Sequence, residues 1–551
     1  MTDLYAKHRD TLERAVETIG TRQYWSPYPE HPKAYGEDAP AEGQAAFEAR
    51  LGRPFEVDQP HDGTLAPDER SPYGLDLEIT YPKSTPDQLI GAAQEAMEAW
   101  GKASVDERAG VVLEILDRLA ARNFEMAHAV MHTTGQSFLM AFQAGGPHAL
   151  DRALEAVAYG YREQTRIPAA MTWEKPQGTR GPLVVEKEWR IRPRGIDVTI
   201  GVSTFPTWNG YPGIFASLIT GNAVIVKPHP ETILPLAIFV EVAREVLASA
   251  GFDPNVVTLA VDTRAEPITE ELVMDPAVGM VDYTGGPAFG QWLEENVRHA
   301  LVFTEKAGVN SVILDSAEDL GPVFRNLSVS MTMYSGQMCT TPQNLFVPRS
   351  GVRVGDEVVP FDEVASGFAA AIAGLLGDDA RAAEILGAIK DPDAVASRVD
   401  EAAAAGEVLL ESTEIEHPAF PGATVRSPVV VTVDAGDRDA YMREMFGPVI
   451  FVVATDSTRQ SLELAKEAAL EKGAITWLVY TTDDEVMEAA VDAAVDAGVS
   501  VAFNLTGGLF VNQSAAFSDF HVTGANPAGN ASLTDTAFVA GRFRVVGVRR
   551  Q

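Results

Sequence analysis

The residue best suited to covalent chemistry is Cys339, the only cysteine in a chain of 551 residues. Its thiolate could attack a carbonyl carbon, and thiolates form where backbone donors, a positive group or a helix end lower the pKa of the thiol. The preceding residues, 331–338, have the pattern of a helix end, and Pro342 stops the helix soon after. The alternative is an inert, buried cysteine that packs as a small hydrophobe.

Glu305 is the carboxylate that could act with this thiol. It follows the apolar, strand-like run 300–303, so we expect it at the end of a strand, where catalytic side chains are often found. A cysteine nucleophile and a carboxylate that activates water would together perform acyl transfer. Because glutamate is abundant in this chain, the Cys339–Glu305 pair alone is weak evidence for catalysis, and the spacing and flanking residues strengthen it.

Two stretches contain residues that suit a nucleotide. Lys227 follows the strand-like run 223–226, where its ammonium could hold ribose hydroxyls or phosphate; the alternative is a structural salt bridge. Residues 285–290 are glycine-rich and lie between a strand and the helical run 291–299, so they could place a pyrophosphate at a helix amino end. The G-x-G-x-x-G spacing of the Rossmann motif is absent there.

Strand-like and helical patterns alternate between residues 197 and 283, and again from Glu305 to about residue 512. This alternation predicts two α/β units with mainly parallel sheets, and such sheets bind ligands at the carboxyl ends of their strands. In the second unit we expect helices at 362–376, 379–386 and 393–404 and strands at 429–433, 449–453 and 476–480. Residues 1–80 combine an amphipathic helix with proline-rich sequence, which predicts an extension packed on the main body.

Five stretches in a consistent order resemble the aldehyde dehydrogenase superfamily. They are Gly-Gln-x-Cys at 336–339, Glu305 with Gly308 and Asn310, the turn at 283–290, the strand at 223–227 followed by Pro228, and Glu-Met-Phe-Gly-Pro at 444–448. The resemblance implies an α/β fold with a Rossmann-type cofactor domain, an α/β catalytic domain and a small β arm that joins subunits. The implied boundaries are 1–80 for the extension, 81–172 and 194–305 for the NAD(P)-binding domain, 306–515 for the catalytic domain, and 173–193 with 536–551 for the oligomerisation arm.

The resemblance also implies roles for individual residues. Cys339 would be the nucleophile, Glu305 the base that leads to a carboxylic acid product, and Thr204 would occupy the oxyanion-binding position. The cofactor, NADP or NAD, would be bound by Lys227, His229, Glu231, Gly285, Gly286, Gly290, Glu444 and Phe446. For Glu444 the alternative is a surface carboxylate beside Arg443.

The oxyanion-binding position departs from the family pattern. The family has an asparagine before Phe-Pro, whereas this chain has Thr204, and a threonine hydroxyl donates only one hydrogen bond. The backbone N–H of Cys339, or Asn209, could therefore carry more of the oxyanion stabilisation.

The ribose-contacting motif also departs from the pattern. In Lys227-Pro-His229-Pro-Glu231 the acidic residue is displaced by one position. Recognition of a ribose 2′-hydroxyl is therefore in question. His229 could accept a 2′-phosphate, which favours NADP.

Further stretches resemble the phenylacetic acid degradation subgroup of this superfamily, the PaaN proteins. They are Ser71-Pro-Tyr73-Gly and residues 203–211, 227–232 and 339–343. The resemblance implies a CoA-linked substrate, 3-oxo-5,6-dehydrosuberyl-CoA semialdehyde, formed on ring opening in aerobic phenylacetate breakdown. Fused relatives carry a hydratase domain after the dehydrogenase, whereas this sequence ends just past its terminal strand. A separate enoyl-CoA hydratase-type enzyme is therefore an expected partner.

Composition limits the other partners and the location. The formal charge of −35 at pH 7 indicates a surface that repels nucleic acid and anionic lipid. We find no signal-peptide core and no long apolar run, so we expect a cytoplasmic protein without a membrane partner. One cysteine excludes an intrachain disulfide and a cysteine-based zinc cluster, and no metal site is predicted. The family's arm predicts a homodimer or homotetramer, in which the terminal strand, 538–548, pairs with a neighbouring subunit.

Three other functions stay open at this point. The first is a general aldehyde dehydrogenase of another aromatic or aliphatic pathway. The second is an acylating enzyme that releases acyl-CoA, against which the presence of Glu305 argues. The third is a catalytically weak cofactor-binding protein.

Overall fold

The architecture comes from a computed structural model, which describes residues 3–306, 308–511, 516–517 and 532–551. Two mainly parallel sheets flanked by helices form the two large α/β parts, and a small antiparallel sheet forms a third part. The predicted end of the catalytic domain, residue 515, lies outside the described residues.

The helices follow in chain order. They are α1 (Leu4–Thr21), α2 (Ala39–Glu48), α3 (Pro86–Trp100), α4 (Val105–Ala121), α5 (Asn123–Thr134), α6 (Phe138–Gly145), α7 (Pro147–Thr165), α8 (Pro206–Ile219), α9 (Leu234–Ser249), α10 (Thr269–Met274), α11 (Pro287–Asn296), α12 (Leu320–Thr332), α13 (Phe361–Leu375), α14 (Asp379–Leu386), α15 (Pro392–Ala403), α16 (Arg438–Tyr441), α17 (Thr458–Lys472), α18 (Asp484–Ala497) and α19 (Ala537–Ala540). Capping boxes begin α3 and α4, at Thr85 with Gln88 and at Ser104 with Glu107.

The strands are numbered in the same way. They are β1 (Thr64–Leu65), β2 (Tyr81–Pro82), β3 (Ala170–Lys175), β4 (Leu183–Pro193), β5 (Ile196–Ile200), β6 (Ala223–Lys227), β7 (Val257–Leu259), β8 (Val278–Gly285), β9 (Leu301–Lys306), β10 (Asn310–Leu314), β11 (Ser316–Ala317), β12 (Pro342–Pro348), β13 (Val352–Val354), β14 (Glu357–Val359), β15 (Glu407–Leu410), β16 (Glu414–Ile415), β17 (Val425–Arg426), β18 (Val429–Asp434), β19 (Val449–Thr455), β20 (Thr476–Tyr480), β21 (Ser500–Phe503) and β22 (Phe543–Arg550).

The first large sheet has five parallel strands in the order β7-β6-β5-β8-β9. Helices cover it, so β5 and β6 are buried along their whole length. β6 is an apolar run up to Lys227, whereas β5 contains the buried polar residues Asp197 and Thr199. The register of β8 with β9 places Thr284 opposite Glu305 and Gly285 opposite Lys306. The glycine-rich turn and the candidate base therefore lie at the same edge of this sheet.

The second large sheet has seven strands in the order β15-β18-β19-β12-β10-β20-β21. All of its pairings are parallel except that of the edge strand β15 with β18. Asn310, at the start of β10, is opposite Pro342, at the start of β12. This pairing brings the loop that carries Cys339 to the chain segment that follows Glu305.

The approach to Cys339 differs from the helix end predicted for residues 331–338. α12 ends at Thr332, and a tight turn follows in which Tyr334, Ser335 and Gly336 have φ values of +53°, +51° and +69°. Three successive left-handed residues cannot continue a right-handed helix. They reverse the chain and present Cys339 from a loop.

The N-terminal segment packs on the first α/β part. Leu12, Ala15 and Ile19 on α1 are buried in the same apolar cluster as Ile115 on α4. The interface is also polar, because Lys7 and His8 both contact the Glu114 carboxylate, at 2.6 and 2.8 Å.

The third sheet has the order β22-β4-β3 and is antiparallel throughout. The prediction of strand over 538–548 was wrong at its start, because residues 537–540 form α19. β22 pairs along one side with β4 of its own chain, from Phe543 opposite Pro193 to Arg550 opposite Glu186, and its other side is an edge of this sheet, so its pairing with a neighbouring subunit stays a prediction. Among the residues that the structure describes, no helix has both the length and the apolar character needed to cross a bilayer.

Candidate active site

Cys339 and Glu305 lie together although they come from different α/β parts. Glu305 is 1% exposed on β9, and it lines the same cavity as the half-buried Cys339, close enough for its carboxylate to raise the pKa of the thiol. The carbonyl of Cys339 accepts a hydrogen bond of 2.7 Å from Asn310 Nδ2, and the Asn310 oxygen accepts the backbone N–H groups of Ile475 and Thr476. Asn310 therefore ties the nucleophile loop to the second sheet.

The thiol is protonated in the resting protein. Burial raises the pKa of Cys339 well above its ordinary value, and the Glu305 and Glu444 carboxylates raise it further, whereas Arg152 opposes them. The sulfur therefore gains its nucleophilic form by giving up a proton as it attacks. Glu305, which lines the same cavity and interacts electrostatically with the thiol, is the carboxylate suited to accept that proton.

Asn209 holds the candidate base. Its Nδ2 donates to Glu305 Oε1 at 3.1 Å, and both side chains are buried. The sequence had suggested Asn209 as a substitute oxyanion donor, but the structure places its amide on the carboxylate. A charge-assisted hydrogen bond of this kind restricts the orientation of the carboxylate.

Arg152 is a buried cation that the sequence analysis missed. It lies on α7, is 6% exposed, and its guanidinium carbon is 3.8 Å from the centre of the Trp208 ring. Burial lowers the pKa of Arg152 to about 10, opposed by the nearby Glu305, Glu155 and Cys339, so it is charged at neutral pH. No short motif marks this position; only the packing of α7 on α8 brings it to the site.

Thr204 lies at the site, as its place before Phe-Pro predicts. It is 6% exposed and lines the same cavity as Cys339 and Glu305. Its backbone carbonyl accepts a hydrogen bond of 2.7 Å from Gln136 Nε2, which holds this loop in place.

A cavity of about 950 Å³ opens beside these residues, a size suited to a cofactor. Gly285, Gly286, Glu444 and Phe446 line it. Gly286 is the N-cap of α11 and has no side chain. Because Pro287 lacks an N–H, the first helical amide that can face an anion is that of Ala288, which lines the cavity. A Cβ at Gly285 would lie 2.5 Å from the Tyr283 hydroxyl, which excludes larger residues there. These features fit the pyrophosphate of a dinucleotide.

Ionisable side chains also line the cavity, and two of them, Lys306 and Arg398, were not among the predicted site residues. Lys306 pairs with Glu294 at 2.8 Å, and Arg398 donates to the Phe446 carbonyl at 2.8 Å. Burial raises the pKa of Glu444 to about 8, opposed by Arg398 and by a backbone N–H. At neutral pH this carboxyl is therefore largely protonated, rather than the surface carboxylate that its neighbour Arg443 suggested.

Lys227, predicted to contact ribose, is engaged in a buried ion pair. Its Nζ lies 2.7 Å from Asp262, both side chains are almost fully buried, and neither lines the cavity. Burial lowers the pKa of Lys227, opposed by Asp262. The salt-bridge alternative from the sequence therefore describes its state in this structure.

His229 and Glu231 lie in the loop after β6 and likewise do not line the cavity. Burial lowers the pKa of His229 to about 3, and Lys390, Arg264 and Lys227 contribute to the lowering. Glu231 pairs with Arg264 at 2.7 Å.

Gly290 lies in α11, which begins at Pro287, four residues earlier than the sequence predicted. A Cβ at Gly290 would lie 2.6 Å from Lys306 Cγ, so the missing side chain lets α11 pack on β9. Gly290 is not part of the cavity wall.

Comparison with known proteins agrees with this geometry. Residues 80–518 match the model of the aldehyde dehydrogenase family. The crystal structure of an NAD-dependent aldehyde dehydrogenase from Burkholderia multivorans is similar at 56% identity and a TM-score of 0.96, over 99% of this chain and 98% of that one. Geranial dehydrogenase from Castellaniella defragrans is 25% identical over 71% of this chain and 78% of its own length. Vanillin dehydrogenase from Pseudomonas fluorescens is 25% identical over 77% of this chain and 82% of its own length.

The fold predicted from the sequence, an α/β aldehyde dehydrogenase fold with a Rossmann-like sheet, is confirmed. With a family match over most of its length, the chain belongs to the aldehyde dehydrogenase family, and it is an NAD(P)-dependent aldehyde dehydrogenase.

Proposed function

We propose that the enzyme oxidises an aldehyde to a free carboxylic acid through a thioester on Cys339. The observation that carries this proposal is that Cys339 and the buried Glu305 carboxylate, which Asn209 orients, line the same cavity. When bound, NAD(P)⁺ supplies the two-electron oxidant of the reaction.

The residues of this chain perform the proton transfers and the bond changes at sulfur. Glu305 takes the thiol proton as the sulfur adds to the aldehyde carbon to form a thiohemiacetal. Glu305 then releases this proton to solvent. The oxyanion faces the Thr204 hydroxyl and the backbone N–H of Cys339, with the Arg152 charge nearby. Once oxidation has produced the thioester, Glu305 takes a proton from water and the water oxygen adds to the acyl carbon, so that the carbon–sulfur bond breaks. Glu305 then gives its proton to the departing thiolate, which restores the thiol as the carboxylic acid leaves.

Turnover of parent and variant proteins tests this mechanism. Reduced-cofactor absorbance would be followed with an aldehyde panel for the parent, Cys339→Ala, Glu305→Gln and the exposed control Glu407→Gln. We expect turnover in the parent and the control and none in the two site variants. A parent that binds cofactor but reduces none would favour the non-catalytic alternative, and an acyl-CoA product would favour the acylating one.

For the substrate, we propose the CoA-linked semialdehyde of aerobic phenylacetate degradation. The support is the sequence resemblance of residues 71–74, 203–211, 227–232 and 339–343 to the PaaN subgroup. A separate enoyl-CoA hydratase-type enzyme would supply this semialdehyde by opening the ring. Ring opening by the purified chain alone would overturn that part of the proposal.

A general aromatic or terpenoid aldehyde is the second candidate. The specific observation is an apolar cluster beside the nucleophile, in which Phe205, Tyr334 and Met338 pack with Trp208 and Met140. Geranial and vanillin dehydrogenases are among the relatives. If kcat/KM for free aldehydes such as these equals or exceeds that for the CoA-linked semialdehyde, the second candidate replaces the first.

For the cofactor, we propose a preference for NAD, contrary to the inference drawn from His229 in the sequence. With its pKa lowered to about 3, His229 is neutral at pH 7 and offers no charge to a 2′-phosphate. The Burkholderia multivorans enzyme is described as NAD-dependent. A higher kcat/KM with NADP than with NAD would refute this preference.

A further inference from the structure

The N-terminal extension reaches the active site through Tyr73, a residue of the Ser-Pro-Tyr-Gly stretch that the proposed chemistry leaves without a role. Tyr73 is 3% exposed, and its hydroxyl donates to the carbonyls of Gly135 and Gln136, at 3.0 and 2.9 Å. Its ring packs against His132 and Phe420, with centroid distances of 5.9 and 4.9 Å. Tyr73 therefore lies between the end of α5 and the loop that contains Phe420.

Residues 133–136, which we call the junction loop, are packed tightly against neighbouring backbone, which restricts their movement. Gly135 has a φ of +87°, and a Cβ there would lie 2.3 Å from the carbonyl oxygen of Ala388. The Ala388 N–H in turn donates to the Gly135 carbonyl at 2.7 Å. The junction loop is therefore clamped between the extension on one side and the second α/β part on the other.

The junction loop also contacts both halves of the catalytic site. Gln136, fully buried, donates from Nε2 to the Thr204 carbonyl at 2.7 Å. The Tyr334 hydroxyl donates to the Thr134 carbonyl from the left-handed turn that precedes Cys339. One loop thus holds both the oxyanion-side residue and the turn that presents the nucleophile.

We propose that Tyr73 is a positioning residue for aldehyde oxidation, which orients Thr204 and the Cys339 turn through the junction loop. This inference rests on the proposed function of Cys339. The single Tyr73 proton is shared between the two carbonyls, and the Gly135 carbonyl also accepts the Ala388 N–H. Without the Tyr73 hydroxyl, the Gln136 carbonyl therefore loses this donor, and the loop can relax toward other partners. Small displacements of reacting groups reduce turnover strongly.

Tyr73 acts by position and not by proton transfer. Burial raises the pKa of Tyr73 well above its ordinary value, so the hydroxyl stays protonated at any working pH. The pH profile of kcat should therefore keep its shape when the hydroxyl is removed.

The test compares Tyr73→Phe with Tyr480→Phe, which removes another hydroxyl bonded to a backbone carbonyl, that of Leu505 at 2.6 Å, away from the site. We expect kcat to fall about tenfold in Tyr73→Phe, equivalent to about 1.4 kcal/mol, and to change less than twofold in the control. The KM for NAD and the unfolding midpoint should match those of the control.

A double-variant cycle distinguishes positioning through the loop from general loosening. Gln136→Met removes the amide that holds Thr204 and should also lower kcat. If Tyr73 acts through Gln136, the double variant should be little slower than Gln136→Met alone. Gln136→Met also serves as the test if Tyr73→Phe does not fold, because normal turnover in it would overturn the inference.

The outcomes separate the two proposals. A parent without turnover overturns the proposed function and this inference with it. An active parent whose Tyr73→Phe variant matches Tyr480→Phe, or whose double variant shows fully multiplicative losses, overturns the role of Tyr73 alone.

Discussion

Replacing Gly336 by alanine tests the geometry of the nucleophile turn directly. Gly336 has a φ of +69°, and a Cβ there would lie 2.2 Å from the carbonyl oxygen of Gly447, in the Glu-Met-Phe-Gly-Pro motif. Both obstacles are backbone features, so no side-chain rotation can relieve them. Gly336→Ala must therefore shift the turn, the facing motif, or both.

The magnitude follows from two separate costs. A left-handed conformation costs a residue with a Cβ about 1–2 kcal/mol relative to glycine. Overpacking of a filled interior adds about 1–3 kcal/mol. If the turn shifts to relieve this overpacking, Cys339, three residues further along the chain, moves relative to Glu305. Since a displacement of about 1 Å can cost about 100-fold in rate, we expect kcat to fall by about that factor.

Gly355→Ala is the matched control for Gly336→Ala. Gly355 has a φ of +57°, and no atom lies within 4 Å of where its Cβ would be. Alanine at position 355 therefore has the cost of the left-handed conformation but no collision of its Cβ. Both variants would be compared by urea unfolding and by steady-state turnover. If Gly336→Ala retains the stability and kcat of Gly355→Ala, the collision argument is refuted.

Three further predictions concern the site and the fold. Asn209→Leu removes the 3.1 Å hydrogen bond to buried Glu305 and should lower steady-state turnover about 10- to 100-fold; unchanged turnover would show that the carboxylate needs no such support. Arg152→Met removes a charge that lowers the pKa of Cys339, so the rate of thiol alkylation by iodoacetamide should rise only at higher pH than in the parent. The pH profile of Arg152→Lys, which keeps the charge, should remain close to that of the parent. Identical profiles for all three proteins would argue against this electrostatic link. Arg542→Met removes two hydrogen bonds of 2.6 and 2.7 Å from the buried Arg542 guanidinium to the Asp282 carboxylate and should lower the free energy of unfolding by about 3–5 kcal/mol in urea titrations. A loss below about 1 kcal/mol would contradict the expected penalty for leaving Asp282 without this cation.

Much of the local structure could be predicted because its signals are local. The strand at 476–480 and the helix at 379–386 have the predicted bounds. The first is a short buried run and the second begins after Asp378, whose side chain caps it. The turn at 333–336 was mistaken for a helix end because its apolar spacing resembles a helix, whereas its φ values depend on the contacts of Tyr334 and Gly336 with distant residues.

The sequence by itself determined the family, the alternation of strands and helices in the two α/β parts, and the identity of Cys339 and Glu305 as the candidate pair, because motifs and periodicity are properties of neighbouring residues. Only the tertiary structure decided which groups surround that pair. Arg152 and Asn209 are near Glu305 because α7 packs on α8 and α8 packs on β8, the strand beside β9. Lys227 forms an ion pair with Asp262, and Tyr73, from the N-terminal extension, hydrogen-bonds the Gln136 carbonyl. These contacts join residues far apart in the chain, and the pKa values at the site follow from burial and charge proximity, which exist only after the two sheets have come together.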